Sequence, residues 1–163
     1  MKTILRLLLF LCISNINAQT NNQNFEALKE EIAKSNPNID FKDKLVFIST
    51  WKSTDFESRE INKEAHRVYK IYEKAKLKNG EKGVVFISIN LDTEEQNRVF
   101  AIGKDNLEPS VVYSGSNLLE NALSILNTNN SKSTILLDKN GALQFSNMPK
   151  DEIFSSLRSL IVR

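Results

Sequence analysis

Beyond its first eighteen residues this sequence contains no cysteine, because the only one is Cys12. A chain that keeps residues 19–163 forms no disulfide, offers no thiolate nucleophile and builds no cysteine-ligated metal site. Histidine is nearly as scarce, and a lone His66 cannot make a His-rich zinc site. There are only five glycines, and neither the P-loop pattern nor Gly-x-Gly-x-x-Gly occurs, so nucleotide binding has no support. The scattered Asp and Glu residues give no calcium-loop pattern. After the leader no apolar run is long enough to span a bilayer.

Residues 1–18 read as a secretory signal peptide. Lys2 and Arg6 supply a positive start, Leu7 through Ile13 an apolar stretch, and Ile16-Asn17-Ala18 a small residue suited to cleavage. A lipid anchor on Cys12 is disfavoured, since Leu11 stands where a small residue is expected. Removing the leader leaves 145 residues, which suits one domain with a sizeable core. It also removes two of the 22 basic residues, leaving 20 against 20 acidic ones. A nucleic-acid binder would show a basic excess or stripe, and this chain shows neither. Export places the protein where disulfides are permitted, yet it uses none, so the core must supply its stability.

The order of elements follows from periodicity and punctuation. Residues 19–37 read as a polar tether and a short helix carrying Phe25, Leu28 and Ile32, ended by Asn36-Pro37. Lys44–Thr50 is a strand buried on both faces. A helix starts near Thr54, where Thr54 and Glu57 have capping-box spacing. It carries an Ile61, Ala65, Val68, Tyr72, Ala75 stripe and stops at Asn79-Gly80. Glu60/Lys63, Glu64/Arg67 and Glu73/Lys76 are its i,i+3 pairs.

Gly83–Leu91 is a second buried strand. Asp92 or Thr93 caps a helix carrying Val99, Phe100 and Ile102, and Ser110–Tyr113 is a short strand. A helix opens at Ser116 and runs through Leu126. Ser133–Leu137 is a strand, Asp138–Gly141 a hairpin turn, Ala142–Ser146 the return strand, and Ile153 through Ile161 a final helix. The alternation predicts an α/β layer fold with a mixed sheet.

Three stretches carry a resemblance. Leu45–Trp51 is similar to a thioredoxin-like strand running into Trp and the active-site turn. Val85–Asp92 is similar to the second central strand of that family, and Ser133–Gly141 to the strand that a cis-proline usually opens. Across residues 38–163 the chain resembles the thioredoxin-like superfamily, in particular exported TlpA-like thiol–disulfide reductases and peroxiredoxin-type redoxins. The resemblance implies a thioredoxin-like fold, a central mixed β-sheet flanked by helices, here with an extra N-terminal helix. It also implies that Lys52 and Asp55 occupy the two cysteine positions of Trp-Cys-x-x-Cys, and Lys132 the cis-proline position, with a trans bond expected there. No thiol–disulfide mechanism survives that replacement, because the reaction needs an attacking thiolate.

The vestigial positions Trp51, Lys52, Ser53, Thr54, Asp55 and Lys132 are therefore the candidate site, with no catalytic residue, cofactor or metal expected. Lys52 and Lys132 over a helix N-terminus would suit an anion; the alternative is a capped helix with solvated lysines. Trp51 is either a recognition aromatic on an exposed rim or packing at a strand end. Ser53 and Thr54 lack an adjacent base, since His66 lies about three turns along the helix near its polar side. Tyr69, Tyr72 and Tyr113 read as packing rather than as thiol-activating hydroxyls. The expected function is a redox-inactive binding module of the cell envelope with an exported protein partner. The alternatives are a redoxin-type enzyme using a partner's or cofactor's thiol, and a structural subunit of an envelope assembly.

Overall fold

The computed structural model describes residues 23–78, 80–114 and 134–162. Helix α1 spans 23–35. Strand β1 is Leu45–Trp51, helix α2 Phe56–Tyr72, strand β2 Val84–Asn90 and helix α3 Glu95–Lys104. A 3-10 turn, Pro109–Val111, leads into β3, Val112–Ser114. The C-terminal part holds β4 (Thr134–Leu137), β5 (Leu143–Ser146) and α4 (Ile153–Ser159). The expected Ser116–Leu126 helix, Lys132 and the leader lie outside the described residues.

The strands form one sheet in the order β3-β2-β1-β4-β5. β1 pairs parallel with β2, from Leu45 opposite Val84 to Trp51 opposite Asn90. β2 pairs parallel with β3, while β4 is antiparallel to both β1 and β5. The sheet is mixed, as the terminal hairpin required. Every residue of β1 and β2 is buried, which is why both read as continuous apolar runs rather than alternating ones.

Opposite faces of these strands feed two separate clusters. Val46, Ile48, Val85, Ile87 and Ile89 pack with Phe25, Leu28 and Ile32 of α1. Leu45, Phe47, Val84 and Phe86 pack with Ala65, Val68 and Tyr72 of α2 and with Ile153 and Leu157 of α4. Helix α1 is thus one of the two layers covering the sheet.

Several local expectations are corrected. Asp55, not Thr54, is the N-cap of α2: its Oδ1 accepts the Ser58 N–H at 3.1 Å. The helix ends at Tyr72, short of Ala75 and Asn79-Gly80, because Lys76 and Leu77 bridge instead to Lys82 and Ile161. Glu60–Lys63 and Glu64–Arg67 pair as expected, but Glu73 lies beyond the helix and pairs with Lys70 rather than Lys76. Helix α3 begins after Glu94, whose side chain makes no capping bond, rather than after Asp92 or Thr93. Its Val99 and Phe100 face solvent while Ala101 is buried. Ser110 and Val111 belong to the 3-10 turn rather than to β3.

Candidate functional site

β1 and β2 run parallel, so the loops after both emerge at the same edge of the sheet. The turn Lys52–Asp55 follows β1, and Leu91-Asp92 follows β2. They are joined first by the Leu91 N–H, which donates to the Trp51 carbonyl at 2.9 Å. Asp92 then closes the gap. Both of its carboxylate oxygens accept the Ser53 N–H, each at 3.1 Å, and Oδ2 also accepts Asn90 Nδ2–H at 2.8 Å. The Asn90 side-chain oxygen accepts the Asp92 N–H in return, at 3.1 Å.

The far side of the turn is fixed to α2. The Lys52 N–H donates to Ser58 Oγ at 3.2 Å, and Ser58 Oγ–H donates to the Asp55 carbonyl at 3.1 Å. Arg59 reaches back to the Ser53 carbonyl at 3.4 Å through Nη1. Its Nε and Nη2 form a two-point pair with Asp105, at 2.9 and 2.6 Å, tying α2 to the end of α3. The hydrogen bonds to Asp105 raise the Arg59 pKa, so the guanidinium stays charged.

Trp51 is fully buried, so its indole is packing and presents no face to a partner. It lies among Ala101, Leu107, Ile102 and Val112. Its Nε1–H donates to Ser88 Oγ at 2.7 Å, and Ser88 Oγ–H donates to Asn62 Oδ1 at 2.9 Å. This chain runs from β1 through β2 to α2 inside the core. It explains two polar residues, Ser88 and Asn62, that a pure apolar stripe would not contain. Asn62 Nδ2 has no hydrogen-bond partner among the described residues.

Of the remaining turn residues, Lys52 and Thr54 are exposed, Ser53 and Asp55 half-buried. Two backbone donors that an anion would want, the N–H groups of Ser53 and Ser58, are already taken by the carboxylates of Asp92 and Asp55. Those two negative charges beside the turn also oppose a bound anion. Lys132 lies outside the described residues, so the Lys52–Lys132 pairing has no geometry here.

His66 is not a plain surface residue. Its ring lies 6.0 Å from that of Phe86 and its Nε2 accepts the Glu108 N–H at 3.4 Å. Burial lowers its pKa; Glu108 opposes that shift and Lys70 adds to it. Tyr69 stacks on Phe86 with centroids 5.6 Å apart, and Tyr72 and Tyr113 are buried, all as packing residues.

The residue that sequence reasoning missed is Phe56. It is the first residue of α2, directly after the turn, and it is 77% exposed. The missed signal was its place between the N-cap Asp55 and the buried Ser58. In this fold that place leaves the Phe56 ring in solvent at the start of the helix.

No family model matches the chain, and no curated protein matches it in sequence. Solved structures do. The thioredoxin domain of a Bacteroides vulgatus thiol-disulfide oxidoreductase superposes with a TM-score of 0.59 at 17% identity, covering 75% of this chain and 82% of that one. A thiol:disulfide interchange protein from a Bacteroides species gives 0.59 at 17%, covering 74% and 75%. A secreted disulfide oxidoreductase of Mycobacterium tuberculosis gives 0.55 at 13%, covering 74% and 84%. The fold is thioredoxin-like, and the one cysteine of this sequence is Cys12.

Proposed function

We propose that the protein is an exported, redox-inactive thioredoxin-like module that binds a partner protein through the Lys52–Phe56 face. The observation that carries this reading is the exposed aromatic ring of Phe56 on a turn that is already held rigid. Aromatic side chains supply much of the energy of protein interfaces. A loop fixed by the Asp92, Asp55 and Arg59 bonds loses little freedom on binding. Lys52 and Thr54 stand exposed beside Phe56 and supply a polar rim.

Replacement of both cysteine positions supports the redox-inactive half of the reading, since neither an ammonium nor a carboxylate can attack a disulfide as a thiolate does. The leader pattern supports export, and among the described residues no helix is long and apolar enough to cross a membrane. An insulin-reduction assay tests the absence of chemistry. The expected rate is that of buffer with reductant alone. Turnover above that background, lost in a Lys52→Ala/Asp55→Ala variant, would overturn the reading in favour of an enzyme that borrows a thiol.

A further inference from the structure

Phe86 is buried in the middle of β2, 1% exposed, yet one side of its backbone has no strand beside it. Peptide groups along a strand point alternately to its two sides. The Gly83 carbonyl accepts the Leu45 N–H on the β1 side at 3.0 Å, and the Val84 N–H donates to the Glu73 carbonyl on the other side at 3.3 Å. Phe86, two residues on, turns its N–H and C=O the same way as Val84. On that side β3 pairs only with Ser88–Asn90. The N–H groups of Val111 and Val112 are taken by the Glu108 and Pro109 carbonyls of the 3-10 turn. No backbone partner among the described residues reaches Phe86 there.

The gap opens into a hollow of about 300 Å³ between the loop after α1, the end of α2 and the 3-10 turn. Ile39, Val84, Val85 and Val111 give it apolar walls. Tyr113 lines it from β3. Its ring packs in the core, but the hydroxyl of this 6% exposed residue has no hydrogen-bond partner among the described residues, and Asn36 stands beside it outside bonding geometry. Buried N–H, C=O and O–H groups are almost always paired, so three unspent ones at a single hollow mark a place for a ligand.

The charges around the hollow cancel. Asp40 pairs with Lys44 at 3.3 Å, Glu108 with Lys70 at 2.9 Å, and Glu73 with Lys70 and Lys74 at 3.5 and 3.9 Å. A charged ligand would break one of these pairs or enter without a partner of its own. What remains unspent is neutral: one N–H, one C=O and one hydroxyl. A peptide strand has no room to add here, because Glu73 closes the edge at Val84 and β3 closes it at Ser88. A carboxamide carries an N–H and a C=O of its own, the complement of the Phe86 backbone.

We propose that this hollow binds an uncharged small molecule bearing a carboxamide, with the amide on the Phe86 backbone and the Tyr113 hydroxyl and an apolar group against Val84, Val85 and Val111. The site lies beside the start of β2, whereas the Lys52–Phe56 turn lies at the end of β1 beside the finish of β2, so it stands apart from the binding reading above.

The test titrates N-acetylleucinamide, N-acetylvalinamide and N-acetylglycinamide into the isotope-labelled protein and follows the Phe86 amide by NMR. At least one is expected to shift that resonance saturably at millimolar concentration. Its charged analogues, N-acetylleucine with a carboxylate and leucinamide with an ammonium, are expected to bind about tenfold more weakly. Tyr113→Phe is expected to weaken the amide severalfold. That change removes a hydroxyl that bonds nothing in the fold, so the urea midpoint is not lowered. The affinity is expected to be the same at low and high salt. No saturable shift with any of the amides overturns the proposal and leaves ordered water as the occupant. Equal or tighter binding of the charged analogues, or full affinity in Tyr113→Phe, overturns it as well.

Discussion

The backbone N–H of Ser53 donates to both carboxylate oxygens of Asp92, each at 3.1 Å, across 39 positions of sequence. One side chain from just beyond β2 thereby fixes the turn at the end of β1. The turn is held by a hydrogen bond to a carboxylate.

Removing that carboxylate leaves the Ser53 N–H and Asn90 Nδ2–H short of an acceptor at a half-buried position. Asp92→Ala is expected to cost about 1–2 kcal/mol in urea denaturation. Asp92→Asn, which keeps one acceptor oxygen, is expected to lose less. Hydrogen exchange should show the Ser53 amide opening in Asp92→Ala. An equally protected amide would mean that the turn is held by something else.

The buried Trp51–Ser88–Asn62 chain makes a second prediction. Ser88→Ala leaves an indole N–H and an amide oxygen unpaired in the core, at an expected cost of about 2 kcal/mol or more. Trp51→Phe removes the same bond from the other end. Because the two share that bond, Ser88→Ala/Trp51→Phe is expected to cost less than the two single changes added together. Strict additivity in the double-mutant cycle would count against the network.

His66 gives the protein an acid sensitivity. Its folded pKa lies below the ordinary 6.5, chiefly through burial, with Glu108 and Lys70 the charged groups facing it. As pH falls, the unfolded chain protonates this imidazole first, so the unfolded state binds more protons and is favoured. The contribution is fully present above about pH 6.5 and is lost as pH drops toward the folded value. His66→Gln, which does not titrate, is expected to flatten the fall in stability between neutral pH and the onset of carboxylate titration. Unchanged slopes in denaturation series at several pH values would remove His66 from the account.

What the sequence disclosed, and what it hid, divides along physical lines. β1 and β2 were legible because a strand buried on both faces is apolar at every position, and no tertiary information is needed to see it. Asp138–Gly141 was legible because Gly141 adopts φ +80, a conformation that few other residues tolerate. The burial of Trp51 was not legible, since a residue at the junction of strand and turn has no periodicity to assign it a face. The outward placement of Val99 and Phe100 on α3 was hidden for a related reason. Val99 to Ile102 are four apolar residues in a row, and such a run carries no helical phase. The early end of α2 came from long-range pairing, as Leu77 meets Ile161 from the far end of the chain and overrides local helix propensity. For the candidate site, Lys52, Ser53, Thr54 and Asp55 were nominated by their position between a buried strand and a helix. Asp92 became visible only once the two strands were set side by side, and Phe56 only through its exposure at the start of α2.

The burial of Trp51 also decides how the binding site is to be probed, because Trp51→Ala would empty the core and cost about 3–5 kcal/mol whatever the partner does. The measurement that tests the account most directly is crosslinking of tagged protein in its native cells, followed by mass spectrometry. Wild type is compared with a Lys52→Ala/Phe56→Ser variant whose urea midpoint is unchanged. The account predicts a partner protein captured by wild type and lost in the variant. A partner retained equally by both would place the interface elsewhere and make the protein a structural subunit, and no captured partner in either would contradict the binding function outright.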